Sequence, residues 1–380
     1  MQTETDERKV RLPGTDRARP PAETLVMAER AAGIVGVTRV ADITRLDTIG
    51  IPTFQAVRPL SATLAVSQGK GVTPELARLS AVMESIEIWH AEQPLGADLT
   101  ASPREVADRL TYDVYALTPS VPSVLHDGLP LDWVPARSLD GGALTLVPVD
   151  VVGLSLQRRD GWHPPAFLSS TNGLASGNTV VEATLHGLYE VIERDAVTAA
   201  LAGAGVPGVR VAPQSLGSAV ADGLSALIDR AGVTLEVRLL ASPTGLPCFL
   251  AWLACDDYPA AMFGFGCHLD PEIALTRAVT EAAQTRLSYI AGARDDLHDD
   301  IDDAGSRRRR EPAGTPADLR DLLAPPVRHE SLSEDLAHVT AVATAAFGHA
   351  PLVAELTRAQ VGVPVVKVVA PGSRVTTEVL

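Results

Sequence analysis

Apolar positions along the chain follow two rhythms. Short runs of alternating or continuous apolar residues read as strands at 33–44, 144–156, 235–240, 248–254, 352–356 and 364–369. A further run at 51–66 is β-like, with Pro52 and Pro59 restricting it to edges or irregular pieces. Helical spacing appears at about 20–32, 74–91, 102–110, 217–230, 271–291 and 333–347, and in a helix that begins after Thr179. The turn Pro243-Thr244-Gly245 joins two of the strands. No composition break divides the chain. The pattern predicts an α+β fold in a single large domain, residues 14–380, behind a disordered start at 1–13. Residues 294–318, rich in Asp, Arg and Pro, read as a flexible loop.

Three of the helices share one template. A capping residue is followed four positions on by Ala, eleven on by Glu and fourteen on by a second acid or an amide. The copies are Thr73, Ala77, Ser80, Glu84, Glu87; Thr179, Ala183, His186, Glu190, Glu193; and Asp270, Ala274, Arg277, Glu281, Gln284. A helix advances about 100° per residue, so the last three side chains of each copy share a face. Pro74 suits the first helical position, and Thr179 with Glu182 gives a capping-box pattern. In the first two helices the apolar stripe (Leu79, Met83, Ile86; Leu185, Leu188, Ile192) runs beside the acids rather than opposite them. The recurrence suggests three related layers.

Composition narrows the function. Hydrophobic residues make up 46% and charged residues 21%, as in a folded soluble protein, and aromatics are only 4%, so Ala, Val and Leu must fill the core. A net charge of −15 argues against a protein that grips nucleic acid by neutralising phosphates. The basic run Arg307–Arg310 sits beside six aspartates between Asp295 and Asp303 and reads as a solvated loop. Cys248, Cys255 and Cys267 have no CxxC spacing, which excludes a disulfide framework and fits a reducing cytoplasm. The first 24 residues lack an apolar signal region, and no apolar run of about 18 residues exists to span a membrane.

The acidic faces are either solvated surface or a collection point for divalent cations. In the first helix no Lys or Arg stands four residues beyond Glu84 or Glu87 to relieve repulsion. The repetition at fixed offsets also favours cations, yet the residues alone leave both readings open. Magnesium is the expected ion, because carboxylate oxygens suit it and it bridges to nucleotide phosphates. Gly69-Lys70-Gly71 and residues 172–177 (NGLASG) precede two of the helices, where backbone N–H groups attract anions. Neither is a Walker loop. With Lys70 and Arg194 close in sequence to the acids, they suggest magnesium-bridged phosphates. His186 reads as a packing or hydrogen-bonded histidine rather than a ligand.

Residues 169–196 (SSTNGLASGNTVVEATLHGLYEVIERDA) resemble the central motif of the YcaO family. QGKGVTPELARLSAVMESIE, DPEIALTRAVTEAAQTR and VPVVKVVAPG agree in order and spacing, so the resemblance spans residues 14–372. It implies a single YcaO-type domain of mixed sheets and helices around a magnesium-nucleotide pocket. It also implies ATP- and Mg2+-dependent activation of a peptide backbone amide, whose oxygen attacks the γ-phosphate before a nucleophile displaces it. A neighbouring Cys, Ser or Thr gives an azoline, sulfide a thioamide and an amine an amidine. By motif position, Glu84, Glu87, Glu190 and Glu193 hold magnesium, and Asn178, Glu182 and Arg194 contact metal or phosphates. Arg17, Thr24, Lys70 and Ser80 fall among the nucleotide contacts. Arg277, Glu281, Gln284 and Arg286 line the same pocket, with Arg277 and Gln284 facing phosphate or peptide rather than metal. Glu190, Glu193, Arg194 and Gln284 carry the catalysis.

Two departures from the family pattern matter. Ile88 follows Glu87 where an Arg is common, and the PGSRVTTEVL end lacks the proline-rich tail of many azoline-forming members. Residues 1–60 are too short for a fused leader-binding module. GTDRARPPAET, GIPTFQAVRP and GARDDL resemble the branch paired with TfuA proteins. The expectation is a cytoplasmic, homodimeric enzyme that installs a thioamide in a precursor peptide with a TfuA-like partner and a sulfur donor. The alternatives are an azoline-forming cyclodehydratase or an amidine-forming member with a separate leader-peptide recognition protein. A non-catalytic acidic scaffold is the remote one. Neither nucleic acid nor membrane is an expected partner.

Overall fold

The computed structural model describes residues 8–154, 165–203, 207–256, 261–293 and 315–376. A hairpin of β1 (Val10–Leu12) and β2 (Thr15–Arg17) leads into α1 (Pro21–Val35). β3 (Arg39–Asp42), β4 (Thr53–Val57) and β5 (Val66–Lys70) form an antiparallel sheet, followed by α2 (Pro74–Glu92). Next come β6 (Leu99–Ala101), β7 (Leu131–Ser138), β8 (Leu144–Pro148), the single-turn α3 (Val149–Val152), β9 (Leu174–Ser176) and α4 (Val180–Leu201). After β10 (Val209–Val211), α5 (Ala219–Arg230) precedes β11 (Thr234–Leu240), β12 (Cys248–Ala254) and β13 (Met262–Cys267), then α6 (Pro271–Ala291). The short α7 (Leu319–Leu322), α8 (Leu332–Phe347), β14 (Leu352–Glu355) and β15 (Val365–Val369) complete the chain. This is an α+β domain.

The order hides a repeat. α1-β3-β4-β5-α2 and α5-β11-β12-β13-α6 are each a helix, three antiparallel strands and a second helix that packs against the first. A third unit has the same spatial order, α8-β14-β15-β9-α4, but draws its strands and helices from two distant parts of the chain. Each template helix lies on the last strand of its own unit: α2 on β5, α4 on β9 and α6 on β13. Each also reaches the edge strand of another unit, α2 touching β9, α4 touching β13 and α6 touching β5. Those contacts close a ring, and the three acidic faces meet inside it.

The Ala of the template is explained by this packing. A Cβ on Gly69 of β5 would lie 2.0 Å from the Ala81 nitrogen, and one on Gly264 of β13 would lie 2.1 Å from the Ala282 nitrogen. Helix and strand therefore touch backbone to backbone. The small residues at Ala77, Ala81, Ala274, Ala278 and Ala282 face glycines, and Ala183 meets Gly177 in the same way. All three predicted caps form: Thr73 accepts from Leu76 N, Thr179 from Glu182 N and Asp270 from Glu272 N.

Several expectations are corrected. The start is not disordered through residue 13, since β1 begins at Val10 and Lys9 joins its ammonium to Asp335 at 2.5 Å. Residues 33–35 finish α1 instead of opening a strand, with Gly36 (φ 85°) closing the helix. The helix expected at 102–110 is a set of turns and one 3-10 turn at Ala107–Arg109, because Glu105 bends back to bond Ser102. The strand expected at 144–156 ends at Pro148, where α3 begins. Of the loop expected at 294–318, residues 294–314 lie outside the described residues. No helix among the described residues is long and apolar enough to cross a membrane.

Candidate active site

The acids at the ring centre do a structural job. β5, β9 and β13 are the inner edge strands of the three sheets. Their spare N–H groups go to template carboxylates: Gln68 N donates to Glu84 Oε2 (3.1 Å), Ser176 N to Glu87 Oε1 (2.8 Å) and Phe265 N to Glu281 Oε1 (3.4 Å). The Ser176 hydroxyl also donates to Glu87 Oε1, at 2.6 Å. Glu84 and Glu281 each take an N–H sixteen residues back in their own unit, whereas Glu87 crosses to the next unit.

Charge around these groups is dense, with Glu193 buried and Glu84, Glu87, Glu190 and Glu281 half-buried. Burial, with Glu84 and Glu190 nearby, pushes the Glu87 carboxyl up to about 8, against bonds from Ser176. Burial also raises Glu190, partly offset by Arg194, Lys367 and Arg277. Glu193 is raised by burial and then by Glu281, and its Oε2 is buried without a hydrogen-bond partner among the described residues. Glu281 behaves oppositely. Burial would raise it, but Lys70, paired at 2.5 Å, and Arg194 together hold it below the usual range. Despite burial, Arg194 is kept firmly charged by Glu193, Glu281 and Glu190.

The N-terminal segment closes the site from the far end of α4. Thr24 donates to Asn178 Oδ1 (2.9 Å), and Asn178 Nδ2 and Ala18 N donate to Glu182 Oε2 at 3.0 and 2.9 Å. Glu182 is therefore engaged by these donors and by Arg17, 3.8 Å away, and it does not return to the Thr179 backbone as a capping box would require. Arg17 donates to His186 Nε2 at 2.6 Å. Burial and then the Arg17 cation keep His186 well below its ordinary value, so the ring is neutral and its acceptor nitrogen is occupied.

The structure thus gathers Glu84, Glu87, Glu190, Glu193, Glu281, Lys70, Arg194 and Arg277, and places Arg17, Thr24, Asn178 and Glu182 together at the adjoining end of α4. Ser80 and Gln284 are half-buried on the template faces. Arg286 is not brought to them. It stands nine residues, about 180° of helix, from Arg277, and it grips Asp47 through Nε and Nη2 at 2.9 and 3.1 Å. Helical phase alone could have shown this. Sequence reasoning missed Ser176, and it missed Lys367, a 3% exposed lysine on the valine-rich β15. One lysine inside VPVVKVV was the available signal.

A cation fits this donor set. Hard carboxylate oxygens predominate, Glu193 has an orphaned oxygen, and burial without a counter-cation is what lifts Glu87. No three potential ligands among the described residues already stand at metal-binding distances. Magnesium does not need them to, because it keeps several waters and takes one or two carboxylates beside substrate phosphates.

A pH dependence follows. Glu87 titrates near 4.5 when unfolded and about 8 when folded, so between those values the folded state binds the extra proton. Stability must fall as pH rises through that window. His186 and His268 act in the opposite sense, but only below about their unfolded value of 6.5. Lys367, which burial lowers to about 8, also acts in the opposite sense above that value, so thermal melts without magnesium should decline from about pH 7 to about pH 8. Magnesium with a nucleotide should flatten the slope. A melting temperature rising over that interval would contradict the assignment.

Taken together, the acidic cluster faces the guanidinium groups of Arg194 and Arg277, an arrangement of charge that suits a phosphate bridged by a divalent cation. The family profile described as YcaO cyclodehydratase, ATP- and Mg2+-binding, matches residues 68–374, and this chain belongs to the YcaO family. An uncharacterised protein of Mycobacterium tuberculosis strain H37Rv is 41% identical over 365 residues, covering 94% of this chain and 82% of the relative. A Rhizobium leguminosarum bv. trifolii protein, described as lying in the tfuA 3′ region, is 40% identical over 295 residues, covering 74% and 69%. Among solved structures, YcaO from Methanopyrus kandleri bound with AMPPCP and Mg2+ superposes with a TM-score of 0.77 at 25% identity, covering 97% of this chain and 94% of that one.

Proposed function

We propose that this chain uses ATP and Mg2+ to activate a backbone amide of a ribosomally made precursor peptide, and that a sulfur donor completes a thioamide with help from a TfuA-like partner. The observation that carries the reading is the ring of template helices, whose buried acids and arginines face one another in a member of an ATP- and Mg2+-binding family. The thioamide branch is favoured by the relative in the tfuA 3′ region.

ATP with Mg2+ supplies the phosphoryl group that turns the amide oxygen into a leaving group. Glu87, Glu190 and Glu193, with Glu84, would hold the cation, and Arg194 and Arg277 would meet phosphate charge. Preorganised opposite charges in a dry site act strongly here because no water need reorient. Lys70 must part from Glu281 to serve phosphate, since the two are paired. Arg17 and Thr24 order the entrance through His186 and Asn178.

Precursor peptide incubated with ATP, Mg2+, a TfuA-like protein and sulfide should gain mass by exchange of oxygen for sulfur, read by mass spectrometry. Loss of water instead would select the azoline-forming reading, which the cyclodehydratase description of the family keeps as the alternative. Calorimetry on folded protein that detects no Mg2+-dependent ATP binding would reject both and leave an acidic scaffold.

A further inference from the structure

Beside Val191 lies a cleft of about 60 Å³, between β15, α4 and the segments at 117–118 and 168–172. Leu117, Val151, Leu168 and Val191 form its apolar walls, and Lys367 and Asn172 supply polar groups. Polar and apolar groups share the lining, with Thr118, Ser170 and Ser373 beside the two named. Lys367 belongs to the central strand β15, between β14 and β9, where an ammonium is costly to bury. Its hydrogen bond among the described residues goes to the Ser170 carbonyl, which uses one of three N–H donors. Asn172 Oδ1 is buried with no partner among the described residues. The cleft lining therefore includes a donor with N–H groups to spare and, closed off from solvent, an acceptor without a partner among the described residues.

We propose that this cleft holds the peptide unit being modified, with its carbonyl oxygen accepting from Lys367 and its N–H donating to Asn172 Oδ1. The inference rests on the reading of the substrate as a peptide amide. A peptide group presents one acceptor and one donor, and it answers both lining groups at once. A phosphate offers no donor to Asn172, and a metal cation would be repelled by Lys367. Apolar walls suit the flanking side chains. Val191 lines the cleft next in sequence to Glu190, and the Lys367 charge acts on Glu190, so an amide seated here adjoins the acidic cluster. Burial, partly offset by Glu190, brings the Lys367 ammonium down to about 8, which leaves it protonated at neutral pH.

The test uses the full chain with Mg2+ and AMPPCP. Two probes are compared by ligand-observed NMR: acetyl-Val-Ala-Val methylamide, and its depsipeptide with an ester oxygen in place of the central N–H. The wild type should prefer the amide. Lys367→Met should weaken both probes at least about tenfold, the loss expected for a hydrogen bond to a charged donor. Asn172→Ala should weaken the amide alone and leave the ester unaffected, which a merely structural role would not do. Equal losses for both probes in Asn172→Ala, or undiminished binding in Lys367→Met, would overturn the cleft assignment. If Lys367→Met does not fold, the Asn172 comparison decides by itself. Peptide-stimulated ATP turnover alongside such a failure would confine it to the cleft. A wild type that binds neither probe and shows no peptide-stimulated turnover overturns the parent reading as well.

Discussion

Glu190→Gln is expected to lower ATP turnover by at least about a thousandfold, the scale on which single charge-stabilising groups act in preorganised sites. Glutamine keeps the shape and removes the charge. Glu190 stands among Arg194, Arg277 and Lys367 and acts on Glu87 and Glu193, so its carboxylate sits between the basic groups and the other acids. Folding should hardly notice. Burial already raises Glu190, which means that its charge opposes the folded state in the absence of a cation. The melting temperature of the metal-free variant should equal or exceed that of the wild type. Phosphate release and a thermal melt on one preparation check both halves, and turnover within tenfold of wild type would remove Glu190 from the machinery.

The largest stability effect is expected at Gly69. An added Cβ would meet the Ala81 nitrogen at 2.0 Å and the Ala77 carbonyl oxygen at 2.2 Å, both backbone atoms that cannot swing aside. α2 would have to lift from β5 and carry Glu84 and Glu87 away from the ring. Gly69→Ala should cost about 4 kcal/mol or more, beyond ordinary overpacking, out of a total stability of about 5–15 kcal/mol. Gly96→Ala is the control, since nothing lies within 4 Å of its added carbon. It should stay within about 0.5 kcal/mol of wild type in denaturant titrations. Equal midpoints for the two variants would refute the close-packing account.

Much of the site could be read from the chain because it is written in helices. Caps, an apolar stripe and acids at fixed offsets are local signals, and Thr73, Thr179 and Asp270 start their helices where the pattern placed them. The partner strands were harder. β13 alternates glycine with larger residues in MFGFGC, and glycine weakens strand propensity, yet it is what lets α6 settle onto the strand. β9 has three residues, too few for any periodicity. Arg286 was assigned by its place in the family motif, and the phase of α6 turns it to Asp47. The mutual positions of Glu87 and Ser176, 89 residues apart, are a tertiary fact that no local pattern encodes.

The split third unit bears on how the protein comes into being. The strands and closing helix of the first two units are continuous in the chain and can pair as soon as they leave the ribosome, with mostly local contacts. β9 and α4 emerge early but find β15 only when Val365–Val369 has been made, nearly two hundred residues later. Until then α4 carries an apolar face and a row of carboxylates with one wall missing. Nucleotide binding during synthesis should therefore switch on late and abruptly, at the length that releases β15. Chains stopped before it should behave as unfinished clients of chaperones rather than as weak enzymes.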